Sequence, residues 1–156
     1  MTSEGLSFRD ILSPSQIERF WRSVDQVPGA CWEWRGLTTN GYGRFPARTG
    51  ASKACIHRAH RVAWELMRGP IGAGLQLDHV CRNRRCVNPD HLEVVTNAVN
   101  VLRGVGPSAI NARRTHCSNG HAFSVENTRI GPRNGRRICR ACNRIGKRLA
   151  AARKGL

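Results

Sequence analysis

Apolar and polar residues alternate along the chain with two periods, and the switches between them predict the elements. In SPSQIERFWRS (13–23), Ile17, Phe20 and Trp21 share one face at i, i+3, i+4 spacing and Pro14 suits a first turn. This predicts a short helix that Val27-Pro28-Gly29 ends. CWEWRG (31–36) and YGRFPA (42–47) predict two strands of a hairpin around Thr39-Asn40-Gly41. Alternation in that hairpin separates Trp, Tyr and Phe from Arg35, Arg44 and Arg48, leaving one face apolar and the other cationic. HRAHRVAWELMR (57–68) predicts a helix with Ala59, Val62, Ala63, Leu66 and Met67 on one side, stopped by Gly69-Pro70. Leu75 to Val80 and Leu92 to Val95 read as strands, and Thr96 can cap a helix running to Arg103, with Gly104 ending it.

The order strand, irregular loop, strand, helix places the chain in the α+β class. Residues 1–28 form an N-terminal helical segment and residues 29–104 the central domain with its hairpin. Residues 105–115 read as a linker, and 116–156 as a compact Cys/His module with a basic tail, RIGKRLAAARKGL, predicted to be helical. No internal repeat is present.

Charge narrows the class of partner. Among 156 residues, 26 Lys and Arg face 10 Asp and Glu, a formal charge of +16 with a pI near 11.3. Half of those cations follow Val101, with Glu126 the single acid there. Such an excess repels itself unless a polyanion relieves it, so nucleic acid is the leading partner. No apolar run is long enough for a signal peptide or a membrane span, which predicts a cytoplasmic, unsecreted protein in a reducing compartment. There, seven clustered cysteines point to metal ligands rather than disulfides, and the odd count points the same way.

The densest chemistry lies in LDHVCRNRRCVNPDHL (77–92). Cys81, Cys86 and His91, at two successive four-residue gaps, are three of the four ligands of a closed tetrahedral zinc site. Cys31 and Cys55 are the candidates for the fourth. That use of His91 leaves His79 beside Asp78 at a strand end, where a neutral imidazole can act as general base on a water. Phosphodiester cleavage also needs a hard cation such as Mg²⁺ or Mn²⁺ at the leaving oxygen. Asp78 offers a carboxylate for it, and Asn100, on the helix after the second strand, an amide oxygen. A second set, Cys117, His121, Cys139 and Cys142, has the Cys-x2-Cys signature of a structural zinc, and Asn134-Gly135 can turn the chain between its halves. Arg129, Arg133, Arg136, Arg137 and Arg140 surround it, as a phosphate-gripping module would require.

The run HVCRNRRCVNPDHL followed by Asn100 resembles the ββα-metal (His-Me finger) core of HNH endonucleases, and within them the His-Cys box homing endonucleases. His79, Cys81, Cys86, His91 and Asn100 fall on the pattern His-x-Cys-x4-Cys-x4-His-x8-Asn of the latter. CWEWRG, NGYGRF and HRVAWELMRGPI resemble phage-type HNH proteins, so the resemblance covers about residues 30–145. It implies a small zinc-stabilised nuclease core, with His79 as base and Asn100 holding the catalytic cation. It also implies Cys31 as fourth zinc ligand, a C-terminal zinc knuckle, and products with 5′-phosphate and 3′-hydroxyl ends. Read by letters, His79, Asn88 and His91 spell H-N-H, but two neighbouring thiolates demand a soft ion and His91 completes their spacing. Asp78 departs from the His-Cys box pattern and matches other HNH enzymes, in which the acid before the base ligates the metal.

The expected activity is hydrolysis of double-stranded DNA, by a homodimer where both strands are cut. The cationic face of the 31–48 hairpin is the expected major-groove reader, and Arg58 and Arg61 are further candidates for phosphate. The competing expectation is a zinc-containing DNA-binding protein without catalysis.

Overall fold

In the computed structural model, which describes residues 7–48, 55–132 and 135–155, every predicted helix and strand of the central domain has a counterpart, although two are paired differently. Contacts divide the chain into two units, residues 1–103 and 104–156.

The first unit opens with a single turn, α1 (Phe8–Ile11), and with α2 (Pro14–Arg22). Reciprocal bonds start both: Ser7 with Asp10, and Ser13 with Gln16, whose backbone N–H donates to Ser13 Oγ at 3.3 Å. After α2 come the two-residue strands β1 (Val24–Asp25) and β2 (Glu33–Trp34), antiparallel to each other. Strands β3 (Thr38–Thr39), β4 (Tyr42–Ala47) and β5 (Cys55–Arg58) make a three-stranded sheet with β4 central. Helix α3 (Ala59–Arg68) follows. Then β6 (Leu75–His79) and β7 (Leu92–Thr96) pair antiparallel, with Asp78 opposite Glu93, and α4 (Asn97–Arg103) packs on them. Thr96 Oγ1 accepts from the Val99 N–H at 3.3 Å, as its capping role predicts.

The expected pairing of 31–36 with 42–47 is corrected. Asn40 (φ 51°) and Gly41 (φ 83°) form a two-residue turn that sets Thr39 against Tyr42 and Thr38 against Gly43. So tight a turn leaves CWEWRG outside the ladder, and β2 pairs with β1 instead. The expected helix at 57–68 likewise begins two residues later, because His57 and Arg58 complete β5 opposite Phe45 and Arg44.

The buried cluster gathers Phe20, Trp34, Phe45, Val62, Leu66 and Val87 among others. Phe20 meets Trp34 and Phe45 at ring-centroid distances of 5.2 Å each. Gly43 lies where β4 crosses beneath the Trp34 indole. A Cβ there would sit 2.8 Å from the Ala59 Cβ and 2.8 Å from two ring carbons of Trp34. Gly43→Ala is therefore expected to destabilise the first unit by about 1–3 kcal/mol, the usual cost of overpacking, read as a lower urea midpoint with an unchanged slope.

The second unit has α5 (Pro107–Arg113), β8 (Thr128–Ile130) antiparallel to β9 (Arg137–Cys139), and α6 (Arg140–Lys154). A helix with the buried Ala109 thus occupies most of the stretch read as a linker. Asn134 and Arg133, and residues 1–6 of the N-terminal segment, lie outside the described residues.

Candidate functional site

The ββα unit positions the first site. The loop from Val80 to His91 leaves β6 through a turn in which the Arg82 N–H bonds the His79 carbonyl at 3.0 Å, with Arg82 at φ 58°. It is fastened to the β2 segment by backbone bonds from Trp34 to Arg85 (3.1 Å) and from Val87 to Trp32 (2.9 Å). Asn88, 5% exposed, caps the turn Pro89–His91 by accepting from the Asp90 N–H at 3.0 Å and donates to the Ala30 carbonyl at 3.0 Å. Its amide is committed to holding the loop.

These contacts bring the Cys31, Cys81 and Cys86 sulfurs and a His91 nitrogen within 4.8 Å of one another. His91 Nδ1 lies 3.5 Å from Cys31 Sγ and 3.7 Å from Cys86 Sγ. A tetrahedral zinc, about 2.3 Å from sulfur and about 2.0 Å from nitrogen, sets its ligand atoms roughly 3.5–3.8 Å apart, so the donor set and spacing fit that ion. Burial pushes the Cys86 thiol up to about 12, and a thiolate there needs a cation beside it. Cys31 is the converging N-terminal cysteine, while Cys55 lies on β5 opposite Ala47.

His79 ends β6 and is 6% exposed. Its Nε2 lies 3.0 Å from the Cys86 carbonyl oxygen, which can only accept, so that nitrogen carries the proton and the lone pair falls on Nδ1. Burial pushes the imidazole below its ordinary pKa. The Cys86 bond and the Asp78 charge offset part of that, while Arg82 and Arg84 add to it. The His60 ring meets His79 edge-on at 4.8 Å, and Tyr42 lies 5.9 Å from His79 and 5.7 Å from His60. The guanidiniums of Arg58 and Arg84 lie over the Tyr42 ring at 5.0 and 5.2 Å.

His60, on α3, is 7% exposed, with a buried Nδ1 that has no partner among the described residues. Burial first, then the charges of His79, Arg61 and Arg58, hold its pKa at about 3, against 6.5 in an unfolded chain. The unfolded chain therefore binds more protons in that window. The contribution of neutral His60 is complete above pH 6.5 and declines as pH falls toward 3, by about 1.4 kcal/mol per pH unit. The urea midpoint of wild type is expected to fall relative to that of His60→Phe over that range as pH falls.

Strand alternation divides the remaining groups. Gln76 and Asp78 point to the face under α4, and His79 to the opposite face. Asn100 Nδ2 donates to Gln76 Oε1 at 2.8 Å, and Asn100 Oδ1 has no partner among the described residues. Asp78, 5% exposed, receives Arg82 at 2.8 Å and Arg103 at 3.5 Å, and Arg103 also reaches Glu93 at 2.6 Å. The structure thus brings Asp78 and Asn100 to one face of β6. Sequence reasoning missed Arg82, Arg103, Tyr42 and Arg84; of these only Arg103 carried a local signal, three residues beyond Asn100 on one helix face.

The expected DNA-contacting arginines are dispersed. Arg35 pairs with Asp25, Arg44 bonds Thr39 Oγ1 at 2.9 Å, and Arg61 lies 4.0 Å from Glu65. With β2 outside the β3–β4–β5 sheet, Arg35 does not share a ribbon face with Arg44, which corrects the expected reader. Arg48 is exposed at the end of β4. In the second unit, Cys117, His121, Cys139 and Cys142 converge within 4.8 Å, with contacts of 3.3 to 3.7 Å among Cys117, His121 and Cys142. The Cys142 backbone N–H and the Asn127 side chain lower the Cys139 thiol to about 6, ready for a metal as thiolate. Arg137 stacks over Phe123 at 4.5 Å and donates to the Asn111 carbonyl, and Arg136 is exposed just before β9.

A two-stranded hairpin and helix carry a histidine at the first strand's end, and the loop between the strands supplies three members of a Cys/His cluster. Residues 57–102 match the model of the HNH endonuclease family. Two phage proteins resemble it. An uncharacterized gene 5.3 protein of Enterobacteria phage T3 is 34% identical over 67 residues, covering 41% of this chain and 64% of its own length. Protein 2.8 of Escherichia phage T7 is 32% identical over 101 residues, covering 64% of this chain and 63% of its own. The chain thus spans just under two thirds of the length of these relatives. No solved structure matches. Among the described residues, no helix is long and apolar enough to cross a membrane.

Proposed function

We propose that this protein is a metal-dependent endonuclease of double-stranded DNA. The observation that carries the reading is His79: one ring nitrogen is tied to the Cys86 carbonyl, and the other is left as an acceptor within an HNH domain. His79 takes a proton from the water that attacks phosphorus in line. Asn100 through its unpartnered oxygen, with Asp78, would hold a Mg²⁺ or Mn²⁺ ion. Such an ion supplies charge stabilisation at the leaving 3′ oxygen. Because His79 is the last residue of β6, a phosphate at that end of the strand can meet both faces. Zinc on Cys31, Cys81, Cys86 and His91 holds the loop, as in His-Cys box homing endonucleases, and zinc on Cys117, His121, Cys139 and Cys142 holds the C-terminal knuckle. Arg44, Arg48, Arg58 and Arg61 contact the duplex from the first unit, Arg136 and Arg137 from the second. One copy nicks; a homodimer cuts both strands, in the cytoplasm of a bacterial or phage-infected host cell.

The engagement of Asp78 by Arg82 and Arg103 favours a second reading, a zinc-containing DNA-binding protein without catalysis. Incubation of supercoiled plasmid and long mixed-sequence DNA with Mg²⁺ separates the two. Cleavage by wild type and its loss in Asn100→Ala supports the nuclease. Binding without cleavage, across several metals and substrates, sinks it.

A further inference from the structure

Helix α6 spans Arg140–Lys154 and buries none of its 15 residues. At about 100° per residue, Arg140, Arg144, Lys147, Arg148 and Lys154 fall within roughly 120° of arc, while Ile145, Leu149 and Ala152 lie on the other side. Arg140 also donates to the Thr128 carbonyl at 3.4 Å. Among the described residues no carboxylate pairs with Arg144, Lys147, Arg148 or Lys154, and the unit holds a single acid, Glu126.

This stripe works against the helix that carries it. Arg140 and Arg144, then Arg144 and Arg148, repeat like charge at i, i+4, and each such pair destabilises an isolated helix by about 0.2–0.5 kcal/mol. No buried face offsets the repulsion, and a helix of this length is marginal without packing. Cys139 and Cys142, flanking and within the first turn, tie only its N-terminal end to the metal cluster. Among the described residues the remaining three turns make no hydrogen bond or ion pair outside the helix, and a polyanion would supply such contacts.

We propose that α6 is a phosphate-backbone anchor: its cationic stripe docks along a nucleic-acid duplex and gives sequence-independent affinity. The proposal rests on the reading above in taking the polyanion to be nucleic acid. The alternative polyanion, an anionic lipid surface, is disfavoured by the apolar side, where only Ile145 and Leu149 are large and no aromatic is present.

The test uses the full chain, with Arg144→Gln, Lys147→Gln and Arg148→Gln combined, since glutamine keeps helix propensity while removing charge. Arg153→Gln, off the stripe, is the control, and circular dichroism with metal content verifies folding of both. Binding to a mixed-sequence duplex is measured from 50 to 300 mM salt. The triple variant is expected to lose about 2.7 from the slope of log K against log salt, and on the order of a hundredfold in affinity near 0.15 M. Arg153→Gln is expected to change the slope by less than one contact's worth. An unchanged slope in a folded triple variant that still binds DNA overturns the anchor and leaves the nuclease reading standing. Tighter binding to phosphatidylserine vesicles than to duplex also overturns it. Loss of slope in a protein that never cleaves supports the anchor and sinks the nuclease.

Discussion

Replacing His79 by alanine is expected to slow DNA cleavage by about 10²–10⁴-fold while duplex binding persists. The range is what a positioned general base contributes. The persistence follows because His79 is nearly buried, whereas phosphate contacts are made by exposed cations. The substitution leaves the Cys86 carbonyl without its imidazole donor, at a cost of about 1–3 kcal/mol in stability. Melting of the variant must therefore be measured beside its rate. Added imidazole separates a lost base from a lost fold, because a small base diffusing into the vacated space restores rate only where the rest of the site stands. Cleavage at the wild-type rate by a folded His79→Ala protein would remove His79 from the mechanism.

Disrupting the first Cys/His cluster, as the proposed zinc site, is expected to have the largest effect on stability. Structural zinc contributes about 10–16 kcal/mol in small zinc domains, against a total stability of about 5–15 kcal/mol for an ordinary domain. Here the cluster joins the β2 segment through Cys31 to the loop through Cys81, Cys86 and His91. The buried apolar cluster draws on both, with Trp34 from one and Val87 from the other. Cys86→Ala is thus expected to lose cooperative melting of the first unit and to bind one zinc per chain in place of two. Cys142→Ala is expected to lose the other ion with the first unit's melting intact. Cys55→Ala is expected to keep both. Two ions retained by Cys86→Ala, measured by atomic emission, would refute the assignment.

Much of this site is legible in the sequence because it is local. Thirteen residues from His79 to His91 hold the proposed base and three cluster donors, and short gaps of fixed length constrain them whatever the rest of the chain does. Helices α2 and α4 and strands β6 and β7 carry enough residues to display a period. Strands β1 and β2, of two residues each, carry none, and their pairing is decided by where Trp34 finds its core. His57 and Arg58 continue a helical pattern on paper, yet ladder bonds to β4 hold them extended. The aromatic wall of Tyr42 and His60 around His79, and the Arg82–Arg103 clamp on Asp78, arise from long-range packing that no spacing encodes.

One residue belongs to both halves of the site. Cys86 places its sulfur in the cluster and offers its carbonyl to His79. The backbone that sets the imidazole's tautomer is thus the backbone that the cluster pins. Under the proposed assignment, an emptied or oxidised cluster frees that carbonyl, and the base loses its orientation before the domain as a whole has come apart. Metal loading would then act as an interlock, leaving a chain still waiting for its ion without an oriented base.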